Sequence, residues 1–197
     1  MVDSTWLIVG LGNPGAKYLD TRHNVGFLAI ELLCQLLSKE LHNSSSWSNQ
    51  KNYEIATVNY AESKLFFLKP LQYMNLSGIA VQEIANFYKI YAHNIIVIHD
   101  EADLDFAKVK LKKGGGDAGH NGLKSITSSI GSADYYRYRI GIGRPQAQQN
   151  GISDWVLSKF TSEELRALDD IFIKIKNSIK VLLEDNFELA QKTLNKN

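Results

Sequence analysis

The stretch Leu7-Ile8-Val9-Gly10-Leu11-Gly12-Asn13-Pro14-Gly15 decides the fold. The β-branched and aromatic run from Thr5 to Val9 stops at Gly10 and reads as a buried strand. The glycines behind it fit G-x-G-x-x-G, the fingerprint of a dinucleotide site. That site needs its glycines to open a helix whose N-terminus receives a pyrophosphate. Here Pro14-Gly15 favours a turn, and helical periodicity starts only near Gly26. An acidic residue should end a second strand some 20 positions on. Glu31 has about that distance but falls inside the helix. A dinucleotide-dependent oxidoreductase is therefore the weaker reading, and the segment is a strand with a turn behind it.

Outward from this strand, Phe27, Ile30, Cys34, Leu37 and Leu41 form one apolar stripe on a helix over Gly26–Leu41. Tyr53–Tyr60 and Lys64–Leu68 read as neighbouring strands of a hairpin, with Pro70 ending the second. Ser77–Tyr88 is helical, Asn94–Ile98 a buried strand, Val109–Leu111 a short polar strand, Asn121–Ile130 a helix and Tyr135–Ile142 a strand. Thr161-Ser162-Glu163-Glu164 is a capping box. It opens an amphipathic helix through Leu165, Leu168, Phe172, Ile175, Ile179 and Leu182. His42–Asn52, rich in Ser and Asn, reads as a surface loop. Strands mixed with helices along the chain predict one α/β domain over residues 1–197. Its twisted central sheet is mixed but mostly parallel, with helices on both faces.

Composition narrows the class. The 197 residues include 22 Lys and Arg against 21 Asp and Glu, with 44% hydrophobic and 22% charged residues. These values exclude a disordered chain, a collagen-like chain and a disulfide scaffold. Cys34 is the only cysteine, so no internal disulfide and no thiolate metal site is expected. No apolar run approaches the roughly 18 residues of a membrane span. Met1-Val2-Asp3-Ser4-Thr5 lacks the basic start of a signal peptide, so a cytoplasmic protein is expected. The net charge of +1 conceals a local excess. Residues 106–145 carry Lys108, Lys110, Lys112, Lys113, Lys124, Arg137, Arg139 and Arg144 against Asp117 and Asp134. Just before them stand Asp100, Glu101, Asp103 and Asp105. A basic patch of this kind suits phosphates.

The unusual polar residues gather at strand ends and loops, where a rigid scaffold displays function. Asn13 follows the first strand, Thr21-Arg22-His23-Asn24 precedes the first helix, and Tyr73-Met74-Asn75 follows the second hairpin strand. His99-Asp100 ends the Asn94–Ile98 strand, and Gly119-His120-Asn121-Gly122 opens a helix. In an open α/β sheet the crevice beyond the strand carboxyl ends is the usual ligand site. A His beside a carboxylate is a competent general base, because the carboxylate fixes the tautomer and stabilises the imidazolium. Asn side chains supply donors for a carbonyl or oxyanion. No G-x-S-x-G elbow and no His-x-x-x-His spacing occurs. The set points to a base-activated water attacking an ester or amide.

The same strings resemble the bacterial-type peptidyl-tRNA hydrolase family. The similarity runs from Leu7–Gly15 with Tyr18 and Thr21–Phe27, through Lys69-Pro70, Tyr73–Gly78 and His99-Asp100-Glu101, to Gly114–Ile126 and Arg139–Pro145. The blocks keep the family's order up to Phe160. The resemblance implies a monomer without metal or other cofactor that cleaves the ester between a peptide and the 3′ ribose of tRNA. By position, it implies His23 as base, Asp100 as its partner and Asn13 as part of the catalytic set. Tyr18, Tyr73, Met74, Asn75, His120 and Asn121 become substrate contacts. Lys112 and Arg139, with Lys110 and Arg144, become contacts to tRNA phosphate. A non-catalytic RNA-binding module on the same fold is the alternative, opposed by the intact base and partner. Gln72, Ala102 and Asp105-Phe106-Ala107 depart from the family pattern. The Asp105–Lys113 and Gln146–Ser153 segments are candidate gating loops.

Overall fold

A computed structural model describes residues 4–42, 45–145 and 151–195. The opening stretch forms β1 (Ser4–Gly10), followed by α1 (Val25–Glu40), β2 (Ser48–Asn49) and the hairpin β3 (Tyr53–Tyr60) and β4 (Ser63–Pro70). Next come α2 (Ser77–Tyr88), β5 (Ile95–Glu101), β6 (Val109–Lys113), α3 (Asn121–Ile130) and β7 (Tyr136–Gly141). The chain closes with α4 (Ile152–Leu157), α5 (Ser162–Leu183) and α6 (Phe187–Leu194). These seven strands form one sheet in the order β2-β3-β4-β1-β5-β7-β6. The four central strands are mutually parallel, while β3 and β6 run against their neighbours. The expected mixed, mostly parallel α/β sheet is what forms.

Alternation along the strands sends side chains to two cores. Ile8, Phe67, Ile96, Tyr138 and Ile140 face α1 and α5 on one side. Leu7, Val9, Leu68, Val97 and Tyr135 face α2 and α3 on the other. The predicted capping box is present, with the Thr161 hydroxyl and the Glu164 carboxylate satisfying reciprocal backbone N–H groups at the start of α5.

The glycine cluster is explained by packing. A Cβ on Gly10 would lie 2.3 Å from the Gly26 carbonyl oxygen, and one on Gly26 would lie 2.4 Å from the Leu11 nitrogen. A Cβ on Gly12 would meet the Phe27 ring at 2.6 Å. These glycines let α1 lie directly against the end of β1. Two expectations change. β6 occupies Val109–Lys113, so most of the expected Asp105–Lys113 loop is strand. The expected His42–Asn52 loop contains β2, a two-residue edge paired with β3. Residues 43–44 of that loop, and 146–150 of the Gln146–Ser153 segment, lie outside the described residues. Among the described residues no helix is long and apolar enough to cross a membrane.

Candidate active site

β1 is flanked by β4 on one side and β5 on the other, so the chain reverses its direction of growth at this strand. The crevice beyond the carboxyl ends of β1 and β5 is where such a sheet receives a ligand. Asp100 sits near the end of β5 and is 4% exposed. His23 lies in a single 3-10 turn, Arg22–Asn24, immediately before α1. Its Nδ1 is 2.9 Å from both Asp100 carboxylate oxygens. The carboxylate therefore holds the proton on Nδ1 and leaves the Nε2 lone pair available as a base.

Asn24 and Arg22 both anchor the turn that carries His23. Asn24 clamps Asn13: its Oδ1 accepts the Asn13 N–H at 2.8 Å, and its Nδ2 donates to the Asn13 carbonyl at 3.0 Å. Arg22, itself buried, donates to both Glu164 oxygens at 2.9 and 3.0 Å, and its guanidinium lies 4.0 Å from the centre of the Trp155 ring. The C-terminal segment thus locks the turn that carries His23. Neither Asn24 nor Glu164 was singled out as a site residue. Asn24 stood beside His23 in the motif, whereas Glu164 carried only the signal of a cap.

Asn13 is 8% exposed, and its Oδ1 accepts the Met74 N–H at 2.8 Å. That bond orients the amide and leaves Nδ2 as its donor. Met74 is buried, with its sulfur beside Gly122, so its backbone contributes to the site by holding Asn13. Tyr73 and Asn75 are exposed on the adjoining turn, and Tyr18 packs edge-on to Tyr73 with ring centres 6.5 Å apart. Asn121 is exposed at the start of α3. A cavity of about 160 Å³ joins His23, Asp100, His120 and Asn121 to Ile152, Ser153 and Val156 of α4. A larger one, about 700 Å³, lies at α1 and β4 around Cys34, Trp47 and Lys69. There Lys69 is paired with Glu31 and Glu54, and burial pushes the Cys34 thiol up.

His120 Nε2 is 3.0 Å from Asp100 Oδ1, so two histidines share one carboxylate. Burial would raise the Asp100 carboxyl, but the charges and hydrogen bonds of His23 and His120 outweigh it and hold the group well below the usual carboxylate range. These three residues bring metal-ligating atoms within 4.8 Å of one another. Each histidine turns one ring nitrogen to Asp100 as a donor, so the cluster is a hydrogen-bonded relay. Behind it, His99 is 1% exposed, and its Nδ1–H donates to the Asp100 carbonyl at 2.7 Å. Burial, then the neighbouring His120, pushes its pKa down to about 3.

The basic residues divide on β6 and β7. Lys110 is opposite Arg139 and Lys112 opposite Arg137, so all four share one face. Arg139 is engaged by Glu101 at 2.9 Å, and Arg144 by Asp103. Lys110 and Lys112 have no acidic partner among the described residues. Arg137, which was not selected as a site residue, is 3% exposed and donates Nη1 to the Gly116 carbonyl at 2.7 Å. Its Nε and Nη2 have no partner among the described residues. Lys112 Nζ and Arg137 Nη2 both point at Gly115, 2.7 and 2.9 Å from where a Cβ would stand.

The chain is similar to known proteins over nearly its whole length. The sequence profile of the family described as peptidyl-tRNA hydrolase matches residues 7–197. A peptidyl-tRNA hydrolase of Bdellovibrio bacteriovorus is 43% identical over 190 residues, covering 96% of this chain and 99% of that one. One from Wolbachia pipientis is 45% identical over 178 residues, covering 90% and 93%. The crystal structure of peptidyl-tRNA hydrolase from Acinetobacter baumannii superposes with a TM-score of 0.86 at 34% identity, covering 99% of this chain and 96% of that one. With the match spanning nearly the whole chain, this protein belongs to the peptidyl-tRNA hydrolase family.

Proposed function

We propose that the chain hydrolyses the ester between a peptide and the 3′ ribose of tRNA, acting as a cytoplasmic monomer. The observation that carries the reading is the His23–Asp100 pair, whose geometry leaves Nε2 of a half-buried imidazole free, in a turn tied to Asn13 through Asn24. His23 Nε2 takes a proton from water as the water oxygen bonds to the ester carbonyl carbon. Asp100 stabilises the imidazolium, and Asn13 Nδ2 donates to the oxygen that gains charge. Collapse of the tetrahedral intermediate breaks the bond to the ribose oxygen, which receives the proton from His23. Tyr18, Tyr73 and Asn75 border the peptide side of the crevice, and Asn121 stands where the 3′ end enters. Lys110 and Lys112 supply unpaired charge for tRNA phosphates, with Arg137 behind Lys112 and with Arg139 and Arg144 held in ion pairs.

His23→Ala tests this reading. Peptide release from peptidyl-tRNA should fall about a hundred-fold or more, as expected for loss of a general base. Affinity for tRNA should persist. Near-normal turnover would remove His23 from the mechanism.

A further inference from the structure

His120 occupies the N-cap of α3, a position that ordinarily takes Ser, Thr, Asp or Asn. Its Nδ1 accepts the Gly122 N–H at 3.1 Å and the Leu123 N–H at 3.4 Å. An imidazole nitrogen that accepts backbone N–H groups carries no proton, so the proton is on Nε2. Nε2 lies 3.0 Å from Asp100 Oδ1. Both ring nitrogens are therefore used inside the protein, and none remains for substrate. Asn or Ser would cap this helix equally well, so capping alone does not account for an imidazole.

We infer that His120 is a positioning residue, converting the N-terminus of α3 into a fixed proton donor that holds the Asp100 carboxylate in register with His23. The helix fixes the tautomer, the tautomer presents an N–H to Oδ1, and that bond prevents the carboxylate from rotating away from His23 Nδ1. The ring is held from three sides: the His23 ring centre is 5.1 Å away, that of His99 is 5.0 Å away, and Asp100 closes the third side. Asp100 is the negative group among them, and Arg137 adds positive charge behind His99. This inference rests on His23 being the base.

The two functions of His120 can be separated by bond counting. Asn places an acceptor as far from Cβ as Nδ1, but it stops short of Asp100. Gln places an N–H donor as far from Cβ as Nε2, but it lacks the capping acceptor. His120→Asn should keep the cap and lose about ten-fold in kcat, the effect of one hydrogen bond to a charged group. KM should change little. His120→Gln should keep kcat nearer the wild type, with a melting temperature about 2–4 °C below the wild type for the missing cap. If His120→Asn turns over like the wild type, or if His120→Gln loses as much kcat as His120→Asn, His120 is only a cap and the inference fails. His23→Ala measured alongside separates the two levels. Normal turnover there overturns the base and this inference together, whereas an inactive His23→Ala beside a fully active His120→Asn overturns this inference alone.

Discussion

The cluster of His23, Asp100 and His120 and the basic face of β6 and β7 lie on neighbouring elements but are held in different ways. In the cluster the Asp100 carboxylate is fixed by hydrogen bonds from both His23 and His120, and Asp100 is 4% exposed. On the basic face the cations differ from residue to residue. Arg139 and Arg144 are neutralised, while Lys110 and Lys112 are exposed without acidic partners among the described residues. The first arrangement suits a reaction, which needs one geometry. The second suits a polyanion, which binds by field and tolerates small displacement. Substitutions in the cluster should therefore act on kcat, and those on the basic face on KM and its salt dependence.

Asp100→Asn breaks the comparison hardest. One oxygen remains to accept from the two histidines, but the negative charge that stabilises the His23 imidazolium is lost. We expect kcat to fall about ten- to a hundred-fold, less than for His23→Ala, because the base itself survives. KM should stay near the wild-type value. A large rise in KM with kcat preserved would place Asp100 in binding.

Acid should separate the regions through stability. His99 is neutral in the folded protein, with its pKa pushed down to about 3 by burial. The unfolded chain takes up that proton from about pH 6.5 downward. Between these values the unfolded state binds more protons, so stability falls as pH falls, by up to about 1.4 kcal/mol per pH unit from this group. Asp100, held below the usual carboxylate range, adds to the loss once pH drops below about 4. Denaturant midpoints measured from pH 7 to pH 4 should show the slope in the wild type and a shallower one in His99→Gln. Equal slopes would mean that His99 accepts its proton without unfolding.

How much of this was legible in the sequence depended on the range of each interaction. Asn13, His23 and Asp100 stood out because they follow or precede regular elements whose hydrophobic pattern is clear. The central parallel strands and α1, α2, α3 and α5 were legible for the same reason. The two-residue β2 owes its existence to pairing with β3, and α4 has only six residues, so neither offers a periodic pattern. The pairing of Arg139 with Glu101 depends on the parallel register of β5 against β7, which no local motif encodes. The motif also marked His120 without revealing its role, because that role lies in which nitrogen carries the proton.

Lys112 and Arg144 give the sharpest remaining contrast, because both were expected to contact phosphate and only one is unpaired. Lys112→Ala should raise KM several-fold at low salt and reduce the slope of log affinity against log salt by about one, the loss of one phosphate contact. Arg144→Ala should change KM by less than about two-fold, since the exposed Arg144–Asp103 pair already screens its charge and such pairs contribute little. Michaelis constants for both variants at two salt concentrations check the prediction. If Arg144→Ala costs as much as Lys112→Ala, its ion pair opens to the RNA, and pairing in the free protein does not decide which cations bind. If Arg144→Ala is silent, the free charge lies with Lys110 and with Lys112, which stands over Gly115 beside the buried Arg137 guanidinium, and the polyanion is held at fixed points as well as by a field.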